Sequence, residues 1–180
     1  MRTRVTTLFL SLLLATSASG QQGMMDDMHS DLGGVQKKFI DLAKAIPEAA
    51  YSWRPTGARS VGEALLHITG DNYLLPVFMG QAAPASVNIN AADMKTIGAF
   101  EARKLTKDQI IAELDASFNH LHKALATTTT DANLTENIKF FGQDFSRRRA
   151  VIGTVNHLHE HLGQMIAYAR SNGVTPPWSR

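Results

Sequence analysis

Asn156-His157-Leu158-His159-Glu160-His161-Leu162-Gly163-Gln164 places three of the chain's seven histidines within five residues, inside a segment of helical periodicity. Side chains four apart on a helix lie one above the other, so His157 and His161 share a face and His159 points away. Two imidazoles at that spacing form a metal-ligand pattern. The zincin arrangement His-Glu-x-x-His is absent, because counting from His159-Glu160 puts Gly163 where the second histidine belongs. The pair alone also fits hydrogen-bonded structural histidines. Its meaning turns on whether another segment supplies a third ligand.

The helix carrying the pair is expected over about 146–171, with Asn172-Gly173 as its C-terminal signal. Val151, Val155, Leu158, Leu162 and Met165 form its core stripe. Thr154, His157, His161, Gln164 and Tyr168 run beside that stripe as a polar line. Upstream, Ser60-Val61-Gly62-Glu63 is a capping box that opens a second helix running from Val61 towards Met79. Pro76 should kink it or end it early, and Gly80 stops it. Val61, Leu65, Ile68 and Leu75 are its core stripe, and Glu63, His67 and Asp71 recur four apart on the adjoining face.

Two further helices are expected. One runs over about 25–46, from the stripe Leu32, Val35, Phe39, Leu42, Ala43 and Ile46. The other follows a second capping box, Thr106 with Gln109, and a staple between Leu105 and Ile110. It runs to about Ala126, with Ile110, Leu114, Phe118, Leu121 and Leu125 inward, and the β-branched run Thr127–Thr130 ends it. Residues 81–104 read as a long connection with one short helical turn near 91–97. Residues 131–145 read as irregular, with Phe140, Phe141 and Phe145 lidding one end of the core. No segment shows sustained β alternation. The pattern is all-α, a four-helix bundle with one long crossover connection and no second domain.

Arg2 and Arg4, the apolar run Leu8–Ala15 and the small residues Ala18-Ser19-Gly20 predict a signal peptide over residues 1–20 and a secreted or periplasmic protein. Those two arginines account for the net charge of +2, so the remainder is electrically balanced. A neutral domain has no electrostatic footprint for nucleic acid. The one basic run, Arg147-Arg148-Arg149, reads as a solvated face. With no cysteine in the chain, a lipoprotein anchor, disulfides and thiolate ligands are excluded.

His67 stands mid-helix beside a core stripe, as His157 and His161 do on theirs, and bundles build metal sites from side chains on facing helices. Three neutral imidazoles leave open coordination positions, the catalytic and not the structural arrangement. Glu63, Asp71 and Gln164 lie one turn from these histidines and are expected to orient them as acceptors. Asp71 is also placed to enter the coordination shell, and Glu63 to act only as a cap. Tyr168 either packs between helices or donates to a substrate. His29, His120, His122 and His159 have no matched partners and read as surface residues.

Trp53-Arg54-Pro55, Arg59-Ser60-Val61-Gly62-Glu63 leading to Leu66-His67-Ile68, Asn156-His157-x-x-x-His161-x-Gly163-Gln164 and Ala169-Arg170-x-x-Gly173-x-x-Pro176-Pro177 together resemble the DinB-like (damage-inducible) superfamily. The resemblance covers residues 24–178. It implies an up-down-down-up bundle with a divalent metal, Zn²⁺ or Ni²⁺, held at positions matching His67, His157 and His161. It further implies a metal-dependent hydrolase or a thiol-dependent transferase or isomerase acting on a small-molecule substrate. A non-catalytic metal- or ligand-binding bundle is the other class. Where relatives carry adjacent histidines and an arginine before Gly-Gln, this chain has Glu160-His161-Leu162. No nucleic acid and, after leader cleavage, no membrane is expected as a partner; a homodimer is allowed.

Overall fold

The helices form where the apolar periodicity places them. In the computed structural model, which describes residues 23–179, they are α1 (Met24–Ala45), α2 (Val61–Leu74), a short α3 (Lys95–Glu101), α4 (Lys107–Thr128) and α5 (Arg147–Ser171). The segment expected to be a leader lies outside the described residues. Both capping boxes close: Ser60 Oγ accepts from Glu63 N at 3.3 Å while Glu63 Oε2 accepts from Ser60 N at 2.9 Å. Thr106 and Gln109 make the same reciprocal pair. After Leu74 the second helix tightens into a 3₁₀ turn through Pro76 and stops at Gly80, whose φ of 103° needs a residue without a Cβ.

Helix direction follows from paired contacts. Gly62 faces Ile110 and Asn72 hydrogen-bonds Ser117, so α2 and α4 run parallel. The Lys107 ammonium caps the carbonyls of Lys44 and Ile46, so α4 begins where α1 ends. Arg147 donates to the Met79 carbonyl, which sets α5 antiparallel to α2. The result is an up-down-down-up bundle in which α4 and α5 each pack on both α1 and α2. The four predicted core stripes are buried at its centre. Two consecutive parallel helices require a connection that travels the length of the bundle, and residues 80–106 provide it.

Three expectations are corrected. The helical turn of the crossover is α3, displaced C-terminally from 91–97. Residues 131–145 are not wholly irregular: β1 (Asn137–Phe140) and β2 (Gln143–Ser146) pair antiparallel around the turn Phe141-Gly142. Four-residue strands are too short for alternation to stand out in sequence. Arg147 is not on a solvated face, since it is held by the Met79 carbonyl and by Glu136, while Arg149 lies over the Phe145 ring.

Candidate metal centre

The side chains of His67, Asp71, His157 and His161 converge between α2 and α5, and their nearest donor atoms all lie within 4.8 Å of one another. On α2, residues 67 and 71 are one turn apart, as are 157 and 161 on α5, so each helix offers two donors to the seam. Asp71 is buried and the three imidazoles are half-buried. Asp71 Oδ2 accepts from His157 Nε2 at 2.7 Å and stands 3.2 Å from His67 Nε2. The His161 ring lies 4.4 Å from that of His157 and 4.8 Å from that of His67, centroid to centroid.

The outward ring nitrogens are held. His67 Nδ1 donates to Glu101 Oε1 at 2.8 Å, and His161 Nδ1 donates to Gln164 Oε1 at 2.9 Å. Gln164 in turn donates to the Tyr168 hydroxyl, and Arg59 braces Glu101 at 3.2 Å. An acceptor on Nδ1 fixes the tautomer and points the Nε2 lone pair inward, as metal-ligating histidines require. The Asp71 hydrogen bond holds His157 above the ordinary imidazole pKa against the opposing effect of burial. Burial holds His161 below that value, against its hydrogen bond to Gln164. Burial raises the Glu101 pKa, but the His67 hydrogen bond and charge, with Arg59, bring it below the usual carboxylate value.

Three imidazoles and one carboxylate suit a borderline divalent ion. The Asp71–His157 and Asp71–His67 separations are 2.7 and 3.2 Å and no pair of the four donors exceeds 4.8 Å, so small side-chain adjustments would bring all four around one ion. The group could therefore hold a metal ion.

Most of the side chains named from spacing meet here, including Gln164 as the acceptor behind His161. Glu63 does not. Its carboxylate is engaged by the Ser60 amide, the main reason its pKa is low, and by Arg54 at 2.8 Å. The acceptor behind His67 is instead Glu101, at the end of α3. Tyr168 is buried with its ring edge-on to Trp53, away from the cavity described next. Of the four remaining histidines, only His159 is exposed, paired with Asp31 at 2.9 Å. His29 and His122 stack on each other half-buried, and His120 is half-buried against Tyr73.

A cavity of about 420 Å³ opens onto the cluster, with His67, Asp71, His157 and Glu101 at one end. Leu74, Leu75, Met94, Ile97, Phe140 and Phe141 form its walls. The crossover and the hairpin, the two segments least legible in sequence, thus supply much of the lining.

The family profile of the DinB superfamily matches residues 32–165, a span that contains every residue of the cluster together with Glu101 and Gln164. The chain belongs to the DinB superfamily. The fold is similar to the crystal structure of a DinB-like protein from Bacillus cereus, with a TM-score of 0.66 at 19% identity, over 87% of this chain and 97% of that one. It is also similar to the mycothiol-dependent maleylpyruvate isomerase, with a TM-score of 0.61 at 11% identity, over 78% of this chain and 60% of that one. Likeness at these identities concerns the fold. Comparison with curated protein sequences gives no match.

Proposed function

We propose that this DinB-superfamily protein binds Zn²⁺ or Ni²⁺ through His67, His157 and His161 and acts as a metal-dependent hydrolase or transferase on a small molecule. The observation that carries the reading is the cavity lined by His67 and His157, two members of the cluster, together with Asp71. A divalent ion there supplies Lewis acidity toward a substrate oxygen, a thiol or water. The chain's own residues do the rest. Glu101 and Gln164 hold two imidazoles in the donor tautomer. Asp71 lines the cavity beside the cluster, so its carboxylate is the group placed to accept a proton from a nucleophile. The apolar walls lower the effective dielectric beside the cluster and strengthen the electrostatics there.

Metal analysis of wild type beside His67→Ala and His161→Ala tests the ligand set. Stoichiometric metal in wild type and loss in both variants is expected, and equal content in all three would sink the site. A second reading, non-catalytic binding, is favoured by one observation: Asp71 Oδ2 is engaged by His157 at 2.7 Å and stands 3.2 Å from His67, which ties up one oxygen of the carboxylate a catalytic base would need. Asp71→Asn separates the two readings. It retains metal but abolishes turnover in the enzyme, and leaves ligand binding intact in a pure binder.

We further propose export, on the strength of the charged start, apolar run and small-residue site over residues 1–20. Among the described residues no helix is long and apolar enough to cross a membrane. Mass spectrometry of the exported protein should find a new N-terminus at Gln21; an intact Met1 would refute cleavage.

A further inference from the structure

The cavity has two unlike ends. The titratable groups gather at one, and among the described residues no lysine or arginine lines it anywhere. The nearby guanidinium, Arg59, is taken up by Glu101. A carboxylate or phosphate at the apolar end would lose its hydration with no cation among the lining residues to replace it. A volume of about 420 Å³ suits a molecule of one or two rings.

The turn at the cavity mouth is built at a conformational cost. Phe141 has φ 49° and Gly142 φ 77°, the two positive values of a type I′ hairpin turn, whose first position favours Asn, Asp or Gly. A phenylalanine held there is strained, and such outliers point to function when packing does not explain them. Burial in the core does not account for it, because Phe141 is 50% exposed. Its ring instead extends a face begun by Phe78 and Phe140, with centroids 4.4 and 5.2 Å away. On α5, Gly153 also lines the cavity, and a Cβ there would meet nothing within 4 Å. The helix leaves that space to the cavity.

We infer that the cavity receives an uncharged aromatic group of the substrate, packed against Phe140 and Phe141, with an oxygen or sulfur donor directed at the histidine cluster. Phe141 is the specificity-determining residue. The donor end rests on the metal reading proposed above; the aromatic end does not.

Three probes test this by calorimetry, with and without added Zn²⁺: benzohydroxamic acid, acetohydroxamic acid and para-carboxybenzohydroxamic acid. The benzo compound should bind roughly tenfold or more tighter than the methyl one, from the apolar area its ring buries. The para-carboxylate should remove that gain. Gly153→Leu should fill the cavity, cut benzohydroxamic acid to the level of the methyl compound and keep the metal content. Phe141→Asn should hold or raise the melting temperature, because asparagine suits the turn, while weakening the aromatic probe several-fold. A purely structural Phe141 would give lower stability and unchanged affinity. Equal affinities for the charged and uncharged aromatic probes, or no effect of Gly153→Leu, would overturn the inference. If Zn²⁺ changes none of the affinities the metal reading falls, and the ratios among the probes still decide the aromatic end.

Discussion

Glu101 reaches His67 from a helix outside the four-helix frame, and its two carboxylate oxygens are divided between His67 and Arg59. Glu101→Gln keeps the shape but weakens the acceptor. Metal affinity should fall about 10–100-fold, the usual cost of losing such a support, with unchanged helical circular dichroism; an unchanged affinity would make Glu101 a mere surface ion pair. Tyr51 is the opposite kind of residue, remote from the cluster and structural. Its hydroxyl donates to the Ala43 carbonyl at 2.8 Å, and burial pushes its pKa well up. Tyr51→Phe should cost about 1 kcal/mol by denaturant unfolding and leave metal content untouched. The difference between these positions marks the limit of sequence reading. His67, Asp71, His157, His161 and Gln164 were legible because spacings of three and four are fixed by the helix itself. Glu101 lies 34 residues from His67, a separation that no local period encodes. Glu63 shares the spacing of His67 and Asp71, but its first-turn position commits its carboxylate to the cap.

At the scale of elements, α3 is seated by an unusually close approach. A Cβ at Gly70 would stand 2.6 Å from Ile97 Cδ1 and 3.4 Å from Phe100 Cδ1, so a larger side chain there crowds the two apolar residues that seat α3 on α2. Gly70→Leu should lift α3, at about 1–3 kcal/mol of overpacking. It should also carry Glu101 away from His67, so metal affinity falls together with stability. A loss of stability without loss of affinity would show that α3 can move and still hold the histidine. The long helices were readable from their apolar stripes and capping boxes. The short α3 and the hairpin were not, because each is held by the bundle it packs against and neither carries a full period of its own.

For the whole molecule, metal binding and folding are linked, since an unfolded chain offers no preformed site. At metal about a thousandfold above its dissociation constant, binding should stabilise the fold by about 4 kcal/mol, a rise of roughly 10 °C in the melting temperature of a chain this size. Chelation should reverse it in wild type and do nothing in His161→Ala. Acid should act through a different region. Burial, with Lys123 adding, holds His120 below the ordinary imidazole pKa, and burial does the same for His122. The unfolded chain then takes up these protons first as the pH falls. Stability is therefore full above about pH 6.5 and declines below it. His120→Gln should show a shallower decline in melting temperature between about pH 6.5 and 5; a profile identical to wild type would locate the acid sensitivity elsewhere.

The packing of α5 against both α1 and α2 also fixes when the site comes into being. Asp71 and His157 are 86 residues apart in the chain, and α5 follows every other long helix among the described residues. A nascent polypeptide that has not yet reached α5 therefore brings together only His67 and Asp71, half of the cluster. The cluster is complete only when α5 has docked on α2. An ion held there would then be one available in the compartment where that docking occurs, so the place of folding would weigh on the metal beside ligand chemistry.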